Sequence, residues 1–151
     1  KNLAEYQYLV FATHGILDNT VPYIQEPALV LAQTGLKEAQ NGFLTLGKVM
    51  QWKLQADLVA LTACQTGLGK NVRGEGVMGL GRAFQYAGAQ SVLVSLWSVD
   101  ENSTTLFMAK FFEYLKAGKS KRESIRLARN DIRSQGYDHP FFWAPFILIG
   151  E

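Results

Sequence analysis

The stretch Leu58-Val59-Ala60-Leu61-Thr62-Ala63-Cys64-Gln65-Thr66-Gly67 decides the fold. Its first four residues are apolar without alternation, the pattern of a short strand buried on both faces of a sheet. It then breaks into small and polar residues around the single cysteine of the chain. Similar runs occur at Tyr8 to Ala12, Ala28 to Ala32, Ser91 to Leu96 and Phe146 to Ile149, each bounded by Gly, Pro, Asn, Asp or Ser. They read as further strands, buried on both faces like the first.

Helical patterns fill the intervals. Val77, Leu80, Phe84 and Ala87 recur at i, i+3, i+7 and i+10 before Gly88, a natural stop. Phe107, Phe111, Tyr114 and Leu115 make a second stripe that ends at Gly118. Ser120 and Glu123 form a capping-box pattern opening a third helix, with Ile125, Ala128 and Ile132 inside it and Gly136 after it. A weaker helix is expected from Thr45 to about Leu54, and Gly136 to Pro145 reads as a loop. Strands alternating with helices of this length predict an α/β domain with a mostly parallel sheet and helices on both faces.

Composition narrows the function classes. The chain has 151 residues, 48% of them hydrophobic, enough for one domain with a substantial core, and residues 1–151 are read as a single domain. Fifteen Lys and Arg stand against 13 Asp and Glu, so no basic footprint announces nucleic acid or an anionic membrane. Cys64, His14 and His139 are too few for a structural zinc site, and one cysteine excludes an internal disulfide, so no metal or cofactor is expected, in a cytoplasmic, reducing setting. No apolar run reaches the roughly 18 residues that would span a bilayer. The sequence opens within a few residues of a strand, as expected for a fragment of a longer protein.

In open α/β sheets, ligands bind beyond the carboxyl ends of the strands. That rule singles out His14 in FATHG and Cys64 in LTACQTG, each placed where a strand-like run gives way to small residues. A thiol near its ordinary pKa of about 8.5 is mostly protonated at neutral pH, and a neighbouring imidazole activates it. His14 is the candidate base and Cys64 the candidate nucleophile. Gly15 lacks a Cβ, so a carbonyl could approach its N–H, which with the Cys64 N–H forms a candidate oxyanion hole.

The segments FATHG, LTACQTGLG, GEGVMGLGRAFQYAGAQSVLVSLWSVDE and HPFFWAPFILIG together resemble the CHAT domain, a caspase-like family related to separase. In caspases, too, the histidine lies about 50 residues before the cysteine. The resemblance covers nearly the whole chain. It implies a caspase-like three-layer sandwich and a cysteine endopeptidase in which His14 and Cys64 form the catalytic dyad. It also implies further sheet upstream of His14, a protein or peptide substrate, a tetratricopeptide-repeat region in the same protein controlling access, and a bacterial antiphage or cell-death setting. Ser95, Leu96, Trp97, Asp100 and Glu101 look like the substrate wall of such proteases. Asp100 or Glu101 would there select Lys or Arg before the scissile bond.

Other readings compete. Gly74-Glu75-Gly76-Val77-Met78-Gly79 fits a dinucleotide fingerprint, but ten residues separate it from the preceding strand, whereas the phosphate-binding version follows its strand at once. These glycines are instead expected to allow close packing of a helix on the sheet. Asp100 precedes a helix pattern and could simply cap it. His139 is assigned a surface or structural use. The alternative to an enzyme is a non-catalytic interaction module that keeps the same fold.

Overall fold

The computed structural model describes residues 3–16, 24–32, 42–62, 64–65 and 75–151. In chain order the elements are β1 (Tyr8–Phe11), β2 (His14–Ile16), β3 (Ala28–Val30), β4 (Phe43–Thr45), α1 (Leu46–Met50), β5 (Leu58–Leu61) and β6 (Cys64–Gln65). There follow α2 (Glu75–Tyr86), β7 (Ser91–Ser95), α3 (Glu101–Lys116), α4 (Lys121–Ser134), α5 (Pro140–Trp143) and β8 (Phe146–Gly150).

The larger sheet has the order β1-β5-β7-β8, with β1–β5 and β5–β7 parallel and β7–β8 antiparallel. Its central strands β5 and β7 are buried throughout, as continuous apolar runs require. Successive side chains go to opposite faces. Leu58, Ala60 and Leu93 meet Phe107 and Phe111 of α3 and Ile125, Ala128 and Ile132 of α4. Val59, Leu61, Val92 and Val94 meet Val49 of α1 and Leu80, Ala83 and Phe84 of α2. Helices therefore cover both faces. On the first face Phe107 stacks on Phe146 with ring centroids 3.9 Å apart and planes 8° from parallel.

Three strand expectations change. Ala28 to Ala32 is not part of the larger sheet; residues 28–30 form β3 of a second sheet, ordered β4-β3-β2-β6. The apolar pattern alone carries no information about partners. β1 is not buried on both faces but alternates, with Tyr8 40% and Val10 50% exposed, because it is the outer strand of its sheet and only Leu9 and Phe11 reach the α2 side. His14, expected just beyond the first strand, instead opens β2 in the other sheet after a break at Ala12 and Thr13.

The helices follow their stripes. Gly88, Gly118 and Gly136 all have positive φ where α2, α3 and α4 stop. At Gly88 the requirement is strict, since φ is +113° and a Cβ would lie 2.2 Å from the Leu54 carbonyl oxygen. The expected helix from Thr45 to Leu54 shortens to α1, which closes at Gln51 and Trp52 with N–H bonds to the Lys48 and Val49 carbonyls. The Leu54 N–H donates to the Ala87 carbonyl beyond α2, 2.6 Å away, and leaves the helical ladder. Ser120 caps α4 by accepting from the Glu123 N–H at 3.2 Å. The Glu123 carboxylate turns instead to Arg126, through bonds of 2.8 and 2.6 Å that hold it below its usual pKa range.

The stretch expected as a loop contains α5, with Pro140 in its first turn and His139 Nδ1 accepting from the Phe141 N–H at 3.2 Å. Gly74 of the glycine motif lies outside the described residues. At Gly79 of the motif a Cβ would meet only Leu46 Cδ1, at an ordinary 3.5 Å; the close approach falls at Gly81, just beyond the motif, where a Cβ would lie 2.6 Å from Ile149 Cδ1 of β8.

Candidate functional site

The second sheet carries the site. β2 is its third strand, antiparallel to β3 and parallel to β6, and His14 is the register partner of Val30 on one side and of Cys64 on the other. Neighbouring strands lie about 4.8 Å apart, so the backbones of His14 and Cys64 are adjacent. Both residues open their strands rather than close the preceding ones. The register is common to both sheets: β1 pairs with β5 from Tyr8–Leu58 to Phe11–Leu61, and the same fifty-residue offset continues at His14–Cys64. The spacing between the two motifs is thus the register constant of two parallel strands that change sheet together.

Two threonines mark that change. Thr62 N–H donates to the Phe11 carbonyl at 3.2 Å, and its hydroxyl reaches the same oxygen at 3.4 Å. The Thr13 hydroxyl donates to the carbonyl of Val30. Neither was singled out by sequence, although each stands beside a motif residue.

His14 is exposed on a cleft of about 410 Å³. Thr13, His14 and Thr62 line one wall, and Glu101, Thr104 and Thr105 of α3 line the other. The α3 residues fall at i, i+3 and i+4, one face of a helix, which is the signal that could have found the two threonines. A larger cleft of about 520 Å³ lies at the opposite end of β5, where Lys121 binds Asp57, and contains none of the candidate residues.

The five expected substrate-wall residues separate. Glu101 reaches the His14 cleft. Asp100 is occupied as the N-cap of α3, accepting from the Ser103 N–H at 2.9 Å. Ser95 is buried and donates its hydroxyl to the Trp97 carbonyl at 2.7 Å. The Leu96 N–H goes to the Pro145 carbonyl at 3.0 Å. Trp97 packs against the α3–α4 side of the core and donates its indole N–H to the Phe141 carbonyl at 3.0 Å. These bonds tie residues 95–97 to the segment around α5 and β8 rather than to the cleft.

Gly15 is buried in β2, paired with Leu29 and Gln65 on its two sides. An amide in that position must leave a strand ladder to meet a substrate carbonyl. Among the described residues no cluster of three or more His, Cys, Asp or Glu could hold a metal ion, and no described helix is long and apolar enough to cross a membrane.

Comparison with known proteins agrees with the motifs. Tetratricopeptide repeat protein 28 of Homo sapiens is 37% identical over 113 residues, 74% of this chain and 4% of that protein. Its counterpart of Mus musculus is 36% identical over 109 residues, 72% of this chain and again 4% of the relative. The chain thus spans a small part of these relatives, and their mammalian origin lends no support to the expected bacterial setting. A family model of the CHAT domain matches residues 1–151, and the chain belongs to that family.

Proposed function

We propose that this domain is a caspase-like cysteine endopeptidase whose dyad is His14 and Cys64. The observation that carries the reading is the register pairing of these two residues across β2 and β6, with His14 open to a cleft. His14 takes the thiol proton, and the Cys64 sulfur attacks the scissile carbonyl carbon. The Cys64 N–H, with the Gly15 N–H once it leaves its ladder, holds the resulting oxyanion. Collapse breaks the C–N bond as His14 returns the proton to the leaving amine. Water, deprotonated by His14, then hydrolyses the thioester and restores the thiol.

Glu101 is the acidic subsite residue of this reading. Glu101 lines the cleft together with His14, whereas the carboxylate of Asp100 is engaged at the helix cap. Substrates with Lys or Arg before the scissile bond are favoured. The relatives named for tetratricopeptide repeats support a repeat region in the same protein, to which this reading gives control of access to the cleft.

An unbiased peptide-library digest by the full-length protein, with Cys64→Ala as control, tests the proposal. Cleavage that disappears in the control supports it, and cleavage unchanged in the control refutes it. A second reading, a non-catalytic interaction module, is favoured by the burial of Gly15 in a strand paired on both sides, where its amide does not face a substrate carbonyl. Under that reading Cys64 reacts with a peptide electrophile no faster than in denatured protein.

A further inference from the structure

We propose that Thr13 is a positioning residue for the His14–Cys64 pair, acting through the bond from its hydroxyl to the Val30 carbonyl. In its catalytic consequence this rests on the endopeptidase reading.

Between Phe11, the last residue of β1, and His14, the first of β2, the chain passes from one sheet to the other. Past this two-residue joint β2 is held by its short ladders to β3 and β6, and a side-chain bond at the joint itself fixes where the strand begins. On the neighbouring strand the joint is tied back, because Thr62 holds the Phe11 carbonyl with both its N–H and its hydroxyl. On β2 the tie runs forward. The Thr13 hydroxyl takes the carbonyl of Val30, the residue that pairs with His14 across β2 and β3.

The imidazole-bearing residue is therefore held between Val30 on one side and Cys64 on the other, with the Thr13 bond fixing the level at which β3 meets β2. A β-branched side chain suits this work, since its χ1 is restricted and the hydroxyl stays aimed. Proton transfer between a thiol and an imidazole requires hydrogen-bond reach, and displacement of about 1 Å can cost on the order of 100-fold in rate.

Thr13→Val keeps the branched shape and removes the donor, whereas Thr13→Ser keeps the donor. Both are to be examined in the full-length protein. The first readout is the pH dependence of Cys64 alkylation by iodoacetamide, which follows the thiolate and needs no peptidase activity. The second is kcat and KM on a peptide taken from the library digest.

For Thr13→Val the expected result is a kcat about 10- to 100-fold lower with KM little changed, and an alkylation profile moved toward that of an ordinary thiol. Thr13→Ser should return most of both. A parental kcat and alkylation profile in Thr13→Val overturns the proposal. So does a Thr13→Ser variant as impaired as Thr13→Val, which would assign the effect to packing. If Thr13→Val loses its cooperative thermal transition, Thr13→Ala takes its place beside Thr13→Ser: a shifted profile in Thr13→Ala with a parental one in Thr13→Ser supports the hydroxyl bond, and equal profiles in the two overturn it. If no peptide is cleaved yet the alkylation profile moves in Thr13→Val and returns in Thr13→Ser, the positioning role stands and the endopeptidase reading falls.

Discussion

His14 and Cys64 are partners across β2 and β6 in the same fifty-residue register that pairs Tyr8 with Leu58 across β1 and β5. The pairing is thus inherited from the larger sheet rather than set locally, and it depends on equal chain length through the two joints that follow Phe11 and Leu61.

An insertion therefore tests it. One alanine inserted between Ala12 and Thr13 should move His14 off Cys64, since a one-residue slip reverses the face on which every following side chain of a strand lies. Activity should fall to background while the main thermal transition persists, because the larger sheet and its helices keep their contacts. A second alanine between Thr62 and Ala63 restores equal length and should recover measurable activity. Cleavage assays and calorimetry on the single and double insertions check this.

Asp100 and Glu101 are adjacent but do different things. Asp100→Ala should cost about 0.5–2 kcal/mol of stability through loss of the α3 cap, with cleavage preference unchanged. Glu101→Gln should leave stability nearly unaltered and depress cleavage after Lys or Arg, measured on paired peptides that differ only at that residue. A parent enzyme without preference for Lys or Arg removes the role given to Glu101.

The stacked pair Phe107 and Phe146 joins α3 to β8 and is completely enclosed, with exposures of 0% and 1%. Truncation there removes a large apolar surface and leaves a cavity. Phe146→Ala should cost about 3–5 kcal/mol in urea unfolding. The cleft residues lie elsewhere, so the variant should retain activity at temperatures where it stays folded.

Gly88 and Gly118 both have positive φ, but their surroundings differ. A Cβ at Gly118 meets nothing within 4 Å, whereas one at Gly88 would strike the Leu54 carbonyl at 2.2 Å. Gly118→Ala should cost only the backbone strain, about 1–2 kcal/mol. Gly88→Ala should cost distinctly more, because Leu54 and its bond to Ala87 must shift. Thermal melts of the two variants give the comparison.

How much of this was legible in the sequence depended on the physical origin of each feature. The strands β5, β7 and β8 and the helices α2, α3 and α4 were legible because apolar period and glycine stops are local signals. The capping serine at position 120 was legible for the same reason, whereas His14 and Cys64 stood out by residue type and not by place, since each opens a strand of the second sheet instead of following one. Strand partnership is not local, so nothing in the run from Ala28 to Ala32 revealed that residues 28–30 belong to a second sheet. The α5 helix escaped because four residues carry no period, and only Pro140 hints at it. In the site, Glu101 was legible as a charge after a strand. Thr13, Thr62, Thr104 and Thr105 were not, since their part depends on which strand and helix they face.

The central claim is that Cys64 and His14 act as one chemical unit. It is tested most directly by kcat/KM for Cys64→Ala, His14→Ala and the double variant on a cleaved peptide. Residues acting as a unit give strongly non-additive losses. Each single substitution should remove nearly all activity, and the double variant should be little worse than the worse single one. Full proteolysis in either single variant would contradict the account.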